Sequence, residues 1–130
     1  MTQEDKELLL KDLCARLPYH TIVSTGEEDL ELVKVDILNG LVYIFSESFL
    51  EFNVFKIKPY LRPMSSMTEE EKTEYRNIAP GITWNYGIQF PTTNKIDWLN
   101  KHHFDYRTDD EGKTMIEKGL ALEAPDGMYK

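Results

Sequence analysis

Asn39-Gly40 lies between two runs of β-forming residues, and this constrains the chain more than any other feature. Both residues accept positive φ, as a tight type I′ hairpin turn requires. Residues 30–38 and 41–45 are therefore predicted to pair as antiparallel strands. Val33, Val35 and Ile37 alternate with Lys34 and Asp36, so one face of the first strand is wet. Leu30 and Leu32 have the opposite parity, which predicts a bulge or a register change between the two sets. Residues 41–45 lack alternation and read as a central strand covered on both faces.

The flanking segments extend this pattern. Residues 21–25 are rich in β-branched side chains and stop at Gly26, which reads as a strand. Residues 49–57 read as another, and Pro59 and Pro63 then end regular pairing, leaving residues 60–63 as an extended connector. Ahead of the sheet, Leu9, Leu10, Leu13, Cys14 and Leu17 recur at helical spacing. Thr2 caps that helix, Glu4 and Asp5 complement its dipole, and Pro18 stops it.

Beyond the sheet, Thr68-Glu69-Glu70-Glu71 fits a capping box opening a helix that runs to about Asn77. Residues 82–91 fit an edge strand or an ordered loop. Thr93 or Asn94 caps a short helix through about His103. Residues 109–112 form a surface turn, residues 115–123 fit a short helix or a strand, and the tail from Pro125 is loose. The expectation is one α+β domain over residues 1–130. It has an N-terminal helix, a small antiparallel sheet of about three to five strands, and two or three short C-terminal helices.

Charge narrows the function classes. The chain carries 15 Lys plus Arg against 23 Asp plus Glu, a formal net charge of −8. Residues 1–31 hold eight acids and three bases, and residues 108–130 hold six acids and three bases. Such a surface repels phosphate, so direct nucleic-acid binding and attachment to anionic lipid are disfavoured. The acids serve as solvated faces or as a patch for a basic partner. One cysteine, Cys14, suits a reducing compartment and reads as a packed structural thiol. The first twenty residues lack an apolar run of signal-peptide length, so the expected setting is cytoplasmic.

No phosphate loop, dinucleotide fingerprint, C-x-x-C, EF-hand or G-x-S-x-G sequence occurs. His102 and His103 are adjacent, so on a helix they point about 100° apart and are poorly placed to chelate one ion. His103 continues the stripe of Ile96 and Leu99 toward the core, while His102 lies one turn beyond Trp98 and can stack on it. No cofactor or metal is expected. Aromatic richness is the positive signal: two Trp, seven Tyr and six Phe. Trp84, Tyr86 and Phe90 fit either a core or an interface, and Tyr60 with Arg62 and Tyr106 with Arg107 pair a ring with a base. With His102 these make the expected interaction surface: Tyr60, Arg62, Trp84, Tyr86, Phe90, His102, Tyr106 and Arg107.

Residues 1–19 (MTQEDKELLLKDLCARLPY), 58–71 (KPYLRPMSSMTEEE) and 96–107 (IDWLNKHHFDYR) with 116–122 (IEKGLAL) together resemble a family of small proteins encoded by gut anaerobic bacteria and their phages or mobile elements. The likeness covers about half the chain. Residues 20–57 and 78–95 correspond to the family's variable part, and residues 108–115 to a spacer that some members shorten. No activity is assigned to the family, so the resemblance implies an intracellular setting and a mobile-element history but carries over no catalytic residue.

The leading expectation is a non-catalytic accessory module that binds a protein partner. One alternative is an acidic inhibitor that occupies a basic nucleic-acid groove of a host enzyme. Another is a small enzyme using His102, His103 or Asp105, which requires a concave pocket joining one of them to polar groups from other elements.

Overall fold

The computed structural model describes residues 2–45, 49–78, 82–85, 88–91 and 94–129. Helix α1 (Gln3–Arg16) starts where the sequence predicts, with the Thr2 hydroxyl accepting from the Asp5 amide at 3.0 Å. Pro18 lies in the 3-10 turn Leu17–Tyr19 that follows, and His20 ends the turn in the left-handed region. Leu9, Leu10 and Leu13 are buried from α1. They pack on a sheet that begins with β1 (Ile22–Ser24), β2 (Asp29–Asp36), β3 (Leu41–Phe45) and β4 (Phe49–Asn53). These four strands form an antiparallel meander, and β5 (Lys58–Pro63) returns to the free side of β1.

The parity change in β2 is a bulge. Leu32 opposes Ile44 and Lys34 opposes Tyr43, so Val33 is the extra residue. Without it, Lys34 would continue the inward set of Leu30 and Leu32. With it, Lys34 faces outward and Val35 opposes the buried Val42. The hairpin turn differs from the prediction. Asp36 opposes Leu41, so the loop is the four residues 37–40 rather than Asn39-Gly40 alone. The Asp36 carboxylate decides this by accepting from the Asn39 backbone and side-chain amides at 3.2 and 2.8 Å, a local bond that ends the ladder early.

The predicted strand over 49–57 is shorter than expected. Asn53 accepts from the Phe55 amide and turns the chain into the 3-10 segment Val54–Lys56. The connector expected at 60–63 is instead the last part of β5, in the middle of the structure. A peptide C=O and the following N–H point to opposite edges of a strand. In β5 the Arg62 amide donates to His103 O at 2.7 Å, and the Leu61 carbonyl accepts from Ala124 N at 2.8 Å. Thus β8 (Phe104–Asp105) and β9 (Leu122–Glu123), both parallel to β5, meet its opposite edges. Pro59 and Pro63 share the parity of Leu61, so their missing donors fall on the β9 edge, which the short β9 meets only at Tyr60 and Leu61.

Among the described residues the sheet therefore has seven strands and is mixed, not a three-to-five-stranded antiparallel sheet. The parallel pairs escape a reading based on local hairpins because their partners lie some 40 and 60 residues away along the chain. Two short helices follow β5. Helix α2 (Glu69–Arg76) carries the full Thr68/Glu71 capping box, and α3 (Asn94–Lys101) precedes β8. Between them, β6 (Ile82–Asn85) and β7 (Ile88–Pro91) form a separate antiparallel pair. Thr93 lies outside the described residues. Residues 115–123 are turns followed by β9, and Trp98, Leu99 and Phe104 make a second apolar cluster beside the main core. The tail is docked rather than loose: the Tyr129 ring stacks on His103 at 3.5 Å between centroids.

Candidate functional site

Two polar assemblies occupy the α2/α3 end of the sheet. The first lines a cleft of about 520 Å³ whose walls include Arg62, Ser66, Glu71, His102 and residues 123–129. Arg62 reaches it from β5 and grips Glu71 of α2 with both terminal nitrogens, at 2.7 and 2.6 Å. Its guanidinium also lies over the Phe104 ring, 4.2 Å from the centroid. Glu71 is the N3 residue of the capping box, so one carboxylate closes the helix and receives the arginine. Arg62 holds that carboxyl down to about 2, with the Thr68 amide adding to the effect. The His102 ring lies against Trp98, tilted by 35° with centroids 4.2 Å apart, and is 3.7 Å from Glu71, while the Ser66 hydroxyl donates to Pro63 O at 2.6 Å.

The second assembly is buried. Arg16 and Asp12 are wholly enclosed on the inner side of α1 and joined at 2.9 Å. Arg16 also donates to Phe104 O at 2.6 Å, and Arg107 donates to the other Asp12 oxygen at 3.2 Å. The Tyr106 hydroxyl donates to Asn100 at 2.9 Å and accepts from Arg107 at 3.4 Å. Asp105 is buried as well, and burial pushes its carboxyl upward although it accepts from the Met115 and Ile116 amides at 3.2 and 2.9 Å.

His103 connects the two assemblies. It is buried at a left-handed φ of 64°, and its amide closes the turn that ends α3 by donating to Asn100 O. Burial, with Arg16 nearby, pushes its imidazole down to about 4, so it is neutral near pH 7. Its Nδ1 and Arg16 Nη1 are buried without a hydrogen-bond partner among the described residues. The ring stacked on it, Tyr129, sits where β1 and β8 meet along one edge of β5. The Ile22 amide donates to the Tyr129 hydroxyl at 3.0 Å, and that hydroxyl donates to Tyr60 O at 2.7 Å.

The expected interaction residues therefore divide. Arg62 and His102 share the cleft. Tyr106 and Arg107 belong to the buried assembly around Asp12, and Tyr60 projects its hydroxyl to Asp29 at 2.9 Å. Tyr86 lies outside the described residues, as do the side chains of Trp84 and Phe90. Sequence reasoning missed Asp12, Arg16 and Tyr129. The i,i+4 acid–base spacing of the first two, beside Leu9 and Leu13, was the available signal. Cys14 is half-buried, and burial raises its thiol above the ordinary value.

His102 does share a concave space with polar groups from β5 and α2. Those groups are engaged, Glu71 by Arg62 and Ser66 by a carbonyl, while Asp105 lies apart from that cleft and is held by two amides. No set of three His, Cys, Asp or Glu among the described residues is spaced to hold a metal ion. No helix among them is long and apolar enough to cross a membrane. Comparison with protein-family models, with curated proteins and with solved structures finds no match for the chain.

Proposed function

We propose that the chain is a non-catalytic protein-binding module. The observation that carries this reading is an apolar corner at the end of the sheet. Leu38 is 96% exposed, Ile37 60% and Phe55 44%. The bond from Val54 N to Gly40 O holds the 3-10 segment that carries Phe55 against the loop that carries Ile37 and Leu38. A chain this acidic has ample polar residues for a loop tip, so two adjacent aliphatic side chains there are unfavourable unless something covers them. Among the described residues, β4 pairs with β3 alone, which leaves backbone groups beside this corner available to an incoming strand.

The partner this fits is a protein with an apolar pocket rimmed by basic residues, because a net charge of −8 steers a basic surface inward. The resemblance to proteins of gut anaerobes and their phages supports a bacterial cytoplasmic partner. The test is affinity capture from such a host with the wild-type chain and with Ile37→Asp/Leu38→Glu, at low and high salt. The reading expects a partner retained at high salt by the wild type and lost by the variant. Capture unchanged by the variant overturns it. A partner shed by salt alone favours the acidic groove-blocking inhibitor instead.

A further inference from the structure

We propose that the seam between β1 and β8 is a recognition socket for a tyrosine side chain presented by a protein segment, and that Tyr129 fills it in cis. The strand geometry carries this. Val23 opposes Pro59 and Ser24 opposes Lys58, so the next pair along this antiparallel ladder would be Ile22 with Tyr60. The Thr21 carbonyl accepts from Leu32 on the β2 side, so the Ile22 amide points toward β5. The Tyr60 carbonyl points back toward it, sharing the edge of the Arg62 amide that bonds β8. The two groups face each other, yet a phenol oxygen stands between them and replaces the direct ladder bond.

This position selects one side-chain chemistry. The inserted atom accepts from an amide and donates to a carbonyl, which a hydroxyl does and an indole N–H does not. It is carried on a flat ring stacked on His103 with an interplanar angle of 13°. Serine and threonine lack that ring, and phenylalanine lacks the oxygen. The segment bearing Tyr129 is fastened lightly before it: Ala124 N bonds Leu61 O, and Met128 N then closes a turn on Pro125 O. Pro125, Asp126 and Gly127 are exposed, so the segment between β9 and Tyr129 is held mainly at its two ends, while β1, β5 and His103, just before β8, build the socket. The socket is remote in the chain from the hairpin corner and does not depend on it.

The test uses the full chain with Tyr129→Ala and a synthetic peptide of residues 122–130. Isothermal titration should show saturable one-to-one binding of the peptide to the variant below about 1 mM, the range that a short intramolecular tether outcompetes. The wild type should not bind it at that concentration, and a peptide with phenylalanine in place of the tyrosine should bind at least about tenfold more weakly, having lost both hydrogen bonds. Absence of binding to a folded Tyr129→Ala chain, equal binding to the wild type, or equal binding of the phenylalanine peptide each overturns the proposal. Tyr129→Phe keeps the ring and covers the case in which Tyr129→Ala does not fold. Amide exchange at Ile22 should then quicken about tenfold or more, and unchanged exchange overturns the proposal.

Discussion

Asp12 and Arg16 are both wholly buried, so removing one leaves the other charged in a medium that solvates it poorly. Asp12→Ala takes from Arg16 its carboxylate at 2.9 Å and leaves the Phe104 carbonyl as its remaining acceptor. Breaking a buried pair from one side costs about 3–5 kcal/mol, a large part of a domain stability of about 5–15 kcal/mol. Arg16→Met is expected to cost about 1–2 kcal/mol less, because Asp12 keeps Arg107 at 3.2 Å and the Arg107 side chain is still 18% exposed to water. The double variant Asp12→Leu/Arg16→Met removes both charges and refills the space with apolar atoms. It should therefore be more stable than Asp12→Ala alone by about 2 kcal/mol. Urea unfolding followed by circular dichroism measures all three, with a constant slope as the check that the denatured state is unchanged. A cost below about 1 kcal/mol for Asp12→Ala would refute the charge-compensation argument. So would a double variant no more stable than that single one, because Arg16 would then be held by packing over Tyr106, 5.3 Å from its guanidinium carbon.

Three further outcomes follow from the same contacts. Glu71 is held at about 2 against an ordinary 4.5, so the Arg62 pair stabilises the fold above about pH 4.5 and loses that contribution as the pH falls toward 2. The stability gap between wild type and Glu71→Gln, read from urea midpoints, should therefore narrow by about 1–2 kcal/mol between pH 7 and pH 3. His103 is held at about 4 against 6.5, so the unfolded chain binds a proton that the fold excludes, and stability declines as the pH falls from about 6.5 to 4. His103→Asn tolerates the left-handed backbone and does not titrate, so its urea midpoint should lose less than the wild type's over that window. Thr68→Ala removes the hydroxyl that accepts from Glu71 N at 3.1 Å and should cost about 1 kcal/mol, seen as a melting temperature lower by roughly 4 °C.

The fold was legible wherever a local bond decides it. The Thr2 and Thr68 caps, the end of α1 and the bulge in β2 each depend on residues within a few positions of one another. The turn at 37–40 shows the limit of that locality. Asn39-Gly40 favours a two-residue loop, but Asp36 offers its carboxylate to Asn39 before the ladder can extend. The same limit explains β5. Two prolines in six residues argue against a strand inside a sheet, unless both missing donors point to an edge that its short partner meets elsewhere. Whether that holds depends on β9, whose residues lie beyond two helices and a long loop.

The site was less legible than the fold because its selection rule is convergence in space. The pairing of the Tyr106 ring with Arg107 is present, the guanidinium lying 5.5 Å from the ring centroid, but Arg62 and Tyr106 both take further partners from other elements. Arg62 joins Glu71 and Phe104, and Tyr106 joins Asn100 and the guanidinium of Arg16. A charged residue ordinarily marks a solvated face, and Glu4 and Glu7 of α1 are exposed accordingly. Asp12 and Arg16 break the rule because α1 must cover the sheet with Leu9 and Leu13, and positions 12 and 16 share that inner side. Burying the pair there costs desolvation that leucines in the same positions would avoid. What the pair supplies is a link that apolar residues lack: Arg16 bonds the carbonyl of Phe104, fixing the start of β8 against α1. His103, one residue earlier, bonds β5 through its own carbonyl and carries the ring on which Tyr129 rests. The buried charges thus position the seam, and disturbing Asp12 should loosen Tyr129 without touching it, which amide exchange at Ile22 in a still-folded Asp12→Asn variant would register.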